Sequence, residues 1–285
     1  MKKLWTILSL LVLALGLIAC GAKKEEATTA NTVKEGSLAD IKAKGKVRIG
    51  VFSDKAPFGY VDSEGKNQGF DVVIGKRLAK DLLGDETKVE FVLVEAANRV
   101  EYLETNKVDI ILANFTVTPE RKEKVDFANP YMKVALGVVS PDGAVIKSVD
   151  ELKGKKLIVN KGTTAETYFT KNYPEIELLS FDQNSEAFAA LKDGRGAALA
   201  HDNLLVFAWA KENKGFTAGI TSLGDLDTIA PAVKKGNAEL LEWINNELTE
   251  IGKEQFIQKA YDETLKPIYG DSVNPADVVV EGGKI

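Results

Sequence analysis

The chain contains one cysteine, Cys20, and one histidine, His201, in 285 residues. A lone thiol cannot close an internal disulfide, and one imidazole beside it makes no His/Cys cluster for zinc. No metal and no cofactor are expected. Positive charge is also short: 37 basic residues stand against 42 acidic ones, a net charge of −5. That balance argues against nucleic acid and against polybasic adhesion to anionic lipid. The N-terminal apolar run covers 16 residues from Leu4 to Ala19, short of the roughly 18–20 that a spanning helix requires. No internal repeat stands out.

What surrounds that run is informative. Lys2 and Lys3 precede it, Leu17-Ile18-Ala19 lead into Cys20, and Gly21 follows. A basic start, an apolar core and small residues before a cut site describe an export signal. The position of Cys20 resembles the lipobox of bacterial lipoproteins, in which the cysteine is lipidated and becomes the mature N-terminus. The expectation is a signal at 1–19, a lipidated tether at 20–36 and a protein anchored in the cell envelope, facing the periplasm or the exterior. A stable anchor needs two or more acyl chains, because a single chain holds only marginally. Removing Lys2 and Lys3 with the signal takes the charge from −5 to −7. The remainder is long enough for two lobes, each with a core.

Beyond the polar stretch 21–36 the pattern alternates. Short apolar runs at 47–51, 89–94, 108–113, 134–139, 156–159 and 196–200 read as strands. Helical spacing occurs at 71–83, 97–106, 119–124, 164–172, 184–192 and 203–212. Alternation of this kind predicts an α/β fold with parallel sheets covered on both faces. Two strands break it: 131–140, which no helix follows, and 228–235, which carries Pro231. Such a pair suits a chain that crosses to a second lobe and returns. Helices at 237–251 and 253–263 then pack on the first lobe. The predicted lobes are 37–132 with 229–285, and 133–228.

Ligands of open parallel sheets bind at the carboxyl ends of strands. One such junction is Asn114-Phe115-Thr116-Val117-Thr118-Pro119-Glu120-Arg121. Thr118 can cap the following helix and Pro119 suits its first position. Arg121 then lies in the first turn, where the helix dipole disfavours a cation unless an anion binds. Free N–H groups, the Thr116 hydroxyl and a guanidinium fork make a carboxylate cradle; a plain surface charge or a pair with Asp126 is the alternative. At the second junction, Thr163 and Glu166 have capping-box spacing, and Gly162 lets backbone approach a ligand closely. The third is His201-Asp202-Asn203, where Asp202 either caps a helix or takes an ammonium. Together, Arg121 and Thr116 from one lobe and Thr164 and Asp202 from the other would recognise an α-amino acid zwitterion.

These segments resemble a known family, the amino-acid-binding lipoproteins of ATP-binding-cassette importers. The likeness runs through APFGYVDSEGKNQGFDV (56–72), VDIILANFTVTPERKEKVDFANPYM (108–132), NKGTTAE (160–166), HDN (201–203) and APAVKKGN (230–237). The resemblance implies a two-lobe type II periplasmic-binding-protein fold, with two parallel-type sheets, helices on both faces and two crossover strands. It implies that Arg121 and Thr116 hold the ligand carboxylate, Asp202 the ammonium, Thr164 donates from the second lobe, and the Asn114 backbone accepts from the amine. Phe52 and Phe115 would line the pocket, and Arg99 corresponds to a side-chain contact in acidic-amino-acid binders or to a structural ion pair with a Glu. EAANR (95–99), ANFTVTPER, PYMKVALGVV and the ending EGGKI look most like the branch that binds cysteine or cystine. Lys55 stands where several binders of basic amino acids place a stacking tyrosine. The implied partners are a free amino acid and permease subunits, with the protein a monomer and not an enzyme. An aspartate/glutamate binder and a dehydratase-like enzyme on the same fold are the alternatives.

Overall fold

The computed structural model describes residues 33–285. The expected signal, Cys20 and the tether as far as residue 32 lie outside the described residues. In chain order the strands are β1 (Val47–Val51), β2 (Asp54–Lys55), β3 (Gly59–Val61), β4 (Asn67–Gln68), β5 (Val89–Leu93), β6 (Ile110–Ile111) and β7 (Val125–Phe127). They continue with β8 (Met132–Pro141), β9 (Lys156–Asn160), β10 (Glu177–Phe181), β11 (Ala198–Asp202), β12 (Phe216–Ile229) and β13 (Ala232–Lys234). The helices are α1 (Leu38–Lys44), α2 (Phe70–Leu83), α3 (Arg99–Glu104), α4 (Pro119–Lys124) and α5 (Thr164–Asn172). After them come α6 (Asn184–Lys192), α7 (Asn203–Glu212), α8 (Ala238–Lys253), α9 (Phe256–Thr264) and α10 (Lys266–Tyr269).

Two five-stranded sheets carry the lobes, in the orders β5-β1-β6-β13-β7 and β10-β9-β11-β8-β12. The expectation of parallel sheets holds for three strands of each. In the first, β1 runs parallel to β5 and β6, whereas β13 pairs antiparallel with β6 and β7. In the second, β9 runs parallel to β10 and β11, and β8 antiparallel to β11 and β12. The sheets are therefore mixed. The reason is the crossover: a strand that enters or leaves a lobe without a helix must join its sheet in the reverse direction.

Strands β8 and β12 pair from Met132↔Ile229 to Phe216↔Pro141 with three register shifts. The run at 228–235 is not one strand: β12 ends at Ile229 and β13 begins at Ala232. Pro231 lies in the gap, where its missing N–H would otherwise leave a hole in a ladder. A small antiparallel sheet, β2-β3-β4, follows β1.

Local chemistry explains the helix ends. Ser37 accepts from Asp40 N–H to start α1, Thr118 from Arg121 N–H to start α4, and Thr163 from Glu166 N–H to start α5. In α8 the buried Leu240, Ile244 and Leu248 recur every four residues, a single apolar stripe. Phe70, Ile74 and Leu78 do the same in α2, and both helices contact α9. These stripes join the main core with Ile49 and Ile110 of the first sheet.

Candidate functional site

The carboxyl ends of the two sheets face each other across a small cavity of about 10 Å³, room for about one water. From the first sheet and its loops come Phe52, Arg99, Asn114, Thr116 and Arg121. The second contributes Thr164 and Asp202. Seven of the eight candidate ligand residues therefore line one space. Phe115 does not line it. Its ring is a buried platform, 4.3 Å from Arg99 Cζ and 4.7 Å from Arg121 Cζ, and it holds both guanidiniums by cation–π contact.

Arg121 does not pair with Asp126, which bonds Lys235 at 2.7 Å and Gly236 N–H at 2.7 Å. Instead Arg121 Nη1 donates to Thr116 O at 2.7 Å and Nη2 to Gly162 O of the other lobe at 2.8 Å. Burial lowers its guanidinium to about 10, against the pull of Asp202, so it remains a cation at neutral pH. Arg99 is 2 % exposed and makes no ion pair with any Glu of the described residues. It donates to four carbonyl oxygens: Ala96 at 3.0 Å, Ala113 at 3.0 Å, Asn114 at 3.2 Å and Gly162 at 3.1 Å. Burial holds it well below the usual arginine range. Its side chain ties the lobes together through backbone.

Asn114 is the most telling residue. Its backbone sits in the left-handed region at φ 46°, which asparagine tolerates better than most residues. Its N–H donates to Asp71 Oδ2 at 2.9 Å. The amide is buried, and neither Oδ1 nor Nδ2 finds a hydrogen-bond partner among the described residues. A buried amide left unpaired costs about 1–3 kcal/mol, and this one lines the cavity. Asp71 also accepts from Tyr131 O–H at 2.7 Å, which links α2 to the residue just before β8. Burial pushes the Asp71 carboxyl up to about 7.

Asp202 does not cap α7 with its side chain. Its Oδ2 instead accepts from Lys55 Nζ at 2.7 Å, an ion pair between the lobes with the two side chains 5 % and 1 % exposed. Burial alone would raise the carboxyl, but the Lys55 ammonium overcomes that and holds it well below the usual carboxylate range. Burial also pulls the Lys55 ammonium down, against Asp202. His201 is buried rather than solvated, and its Nδ1 accepts from Asp202 N–H at 2.7 Å. Burial, then Lys55, lowers the imidazole, so the ring is neutral. Its other nitrogen carries the proton.

Three contacts were not anticipated from sequence. Lys55 and Asp54 lie on β2, and Asp54 reaches α6 of the opposite lobe. Its carboxylate accepts from Asn184 Nδ2 at 2.9 Å, Ser185 N–H at 2.9 Å and Ser185 Oγ at 3.2 Å. Gly162, at φ +72°, does allow a close approach, but to protein backbone: a Cβ there would lie 2.5 Å from Ala97 Cα of the first lobe. An outer groove of about 410 Å³ adjoins the cavity, and Arg121, Gly162 and Thr164 line it with Tyr168 and Asp227.

A cavity between two lobes, lined by two guanidiniums, an ammonium and a carboxylate, defines a receptor for a small polar solute. The chain belongs to the bacterial extracellular solute-binding proteins, family 3, whose pattern matches residues 47–266. It is similar to a solved solute receptor for L-cysteine from Neisseria gonorrhoeae, with 62% identity, 86% of this chain and 100% of that one covered, and a TM-score of 0.85. A cysteine-binding protein from Campylobacter jejuni gives 63% identity, coverage of 86% and 98%, and a TM-score of 0.85. The ABC transporter glutamine-binding protein GlnH of Bacillus subtilis is 35% identical over 269 residues, 93% of this chain and 98% of that protein.

Proposed function

We infer that this protein is the amino-acid receptor of an ATP-binding-cassette importer, that its ligand is cysteine, and that it binds without catalysis. The observation that carries this reading is the meeting of Arg121 and Asp202, 81 positions apart in sequence, around the unpartnered amide of Asn114. Arg121 and Thr116 take the ligand carboxylate. Asp202 takes the ammonium, Asn114 its further hydrogen bonds, and Thr164 donates from the second lobe. The two cysteine receptors at 62% and 63% identity support cysteine over another amino acid.

In this reading the lobes are 37–132 with 229–285, and 133–228, and they move about the β8–β12 pair and the gap at Pro231. Ligand favours the closed form only through contacts that closing creates, and Asp202 and Thr164 supply them. The lipid on Cys20 holds the receptor, as a monomer, at the outer membrane face near its permease. Micromolar affinity corresponds to about −8 kcal/mol, which one guanidinium–carboxylate contact and one amine clamp can supply. Calorimetry with L-cysteine under reducing conditions tests the reading: the native protein binds, and Arg121→Ala, with an unchanged melting curve, does not. Micromolar binding by that variant would remove the assignment.

A further inference from the structure

The cavity holds more positive charge than an α-amino acid zwitterion uses. Lys55, Arg99 and Arg121 line it, against Asp202 as the one lining carboxylate among the described residues. The ring of His201 is neutral, because its Nδ1 accepts from the Asp202 N–H. Asp71 lies behind Asn114, bonded to Tyr131 and the Asn114 N–H. Asp227 faces the outer groove from β12. Arg99 satisfies its hydrogen bonds on carbonyl oxygens, which leaves its charge without a counterion.

The Lys55 ammonium is almost fully buried, 5.1 Å from the Phe52 ring centroid, and its one hydrogen bond among the described residues goes to Asp202. An ammonium has three N–H donors, so two remain for an acceptor in the cavity. A ligand ammonium on the same carboxylate would share that single negative charge with Lys55, and a second anion beside Lys55 offsets the like-charge repulsion that remains. The ligand's own side chain is the group that can provide it. A thiol placed beside Lys or Arg loses its proton far below its ordinary value of about 8.5.

We propose that Lys55 is a specificity-determining residue that receives the ligand side chain as an anion, so that cysteine is bound as its thiolate. The proposal rests on the cysteine reading above. It explains why a basic residue stands in a pocket that must also admit an ammonium, and it excludes ligands with cationic side chains. The bond that changes is S–H of the ligand; its proton leaves to solvent.

The test is calorimetry of L-cysteine with the full-length protein at pH 7 under reducing conditions, in phosphate and in Tris. The expected difference in heat corresponds to about one proton released per ligand, because a thiol near 8.5 is almost fully protonated at that pH. Release means that affinity rises with pH, close to tenfold per unit below the free thiol's value. Thiolate absorbance in the far ultraviolet appears on binding and assigns the proton to sulfur. L-Serine, whose side chain does not ionise, binds at least 100-fold more weakly. In Lys55→Met, proton release falls and the cysteine-to-serine ratio shrinks at least tenfold. Should that variant fail to fold, the proton count and the serine comparison on the native chain still decide. Cysteine bound with no proton released, or aspartate bound more tightly than cysteine, overturns this inference and leaves the receptor reading standing. Failure of every amino acid to bind overturns both.

Discussion

Replacing Asp54 by alanine isolates lobe closure from ligand contact. Asp54 lines neither the cavity nor the outer groove, yet it accepts three hydrogen bonds from Asn184 and Ser185 at the start of α6. Those bonds join β2 of one lobe to a helix N-terminus of the other, so they exist only when the lobes are shut. A carboxylate at a helix N-terminus is worth about 1 kcal/mol as a cap, and hydrogen bonds to a charged acceptor about 1.5–3 kcal/mol. Ser185 is exposed and Asp54 half-buried, so water competes and the lower part of that range applies. About 1.5 kcal/mol on the closing equilibrium is close to tenfold in apparent affinity. Calorimetry should therefore show the L-cysteine dissociation constant of Asp54→Ala raised about tenfold. The stoichiometry stays at one, and small-angle scattering shows a larger radius of gyration at subsaturating ligand. Unchanged affinity with full closure would refute the reasoning, because the bonds would then not contribute to the closed state.

Gly162→Ala should act on the same equilibrium by sterics. The added Cβ meets Ala97 Cα at 2.5 Å, backbone against backbone, so neither partner can yield as a flexible side chain would. Affinity should fall at least 100-fold while stability drops by only about 1–2 kcal/mol for the left-handed residue; equal affinity would show that the lobes tolerate the separation. Asp202→Asn leaves the Lys55 charge buried and unpaired, and urea denaturation should record a loss of about 3–5 kcal/mol. Lys55→Met with Asp202→Leu should recover most of it without recovering binding; a double variant no more stable than Asp202→Asn would contradict this. Asp71 gives a pH signature. Its carboxyl is raised by burial to about 7, so the folded state holds a proton that the unfolded chain, near 3.8, releases. Its contribution is full below that lower value and is lost as pH rises through about 7. Relative to Asp71→Asn, the native protein should therefore lose stability between pH 4 and 8, by at most about 4 kcal/mol; parallel pH profiles would dismiss Asp71 as the cause.

Much of this molecule was readable in one dimension. The helices at 119–124, 164–172, 184–192 and 203–212 have the predicted bounds, because apolar spacing and, in the first two, a capping threonine decide them. Strand 47–51 likewise begins and ends as expected, since a short β-rich run allows little else. Strand β12 was not legible over its length. Its three register shifts destroy the period-2 signal, and more than half of its residues are not buried. The two-residue strand β2 offered no pattern at all, and it carries Asp54 and Lys55.

The site divides along the same line. Arg121, Thr116, Thr164 and Asp202 could be picked out because each lies at a strand-to-helix junction, and a polar side chain at such a junction has a local reason to be there. Sequence alone determined which residues stand at strand ends and which helices they begin. Only the tertiary structure decided that Arg99 bonds carbonyls instead of a carboxylate, that Phe115 supports two guanidiniums from outside the cavity, and that Lys55 meets Asp202 from 147 residues away. The physical reason is range. Capping and periodicity act over three or four residues, whereas desolvation and ion pairing depend on what the opposite lobe brings into contact.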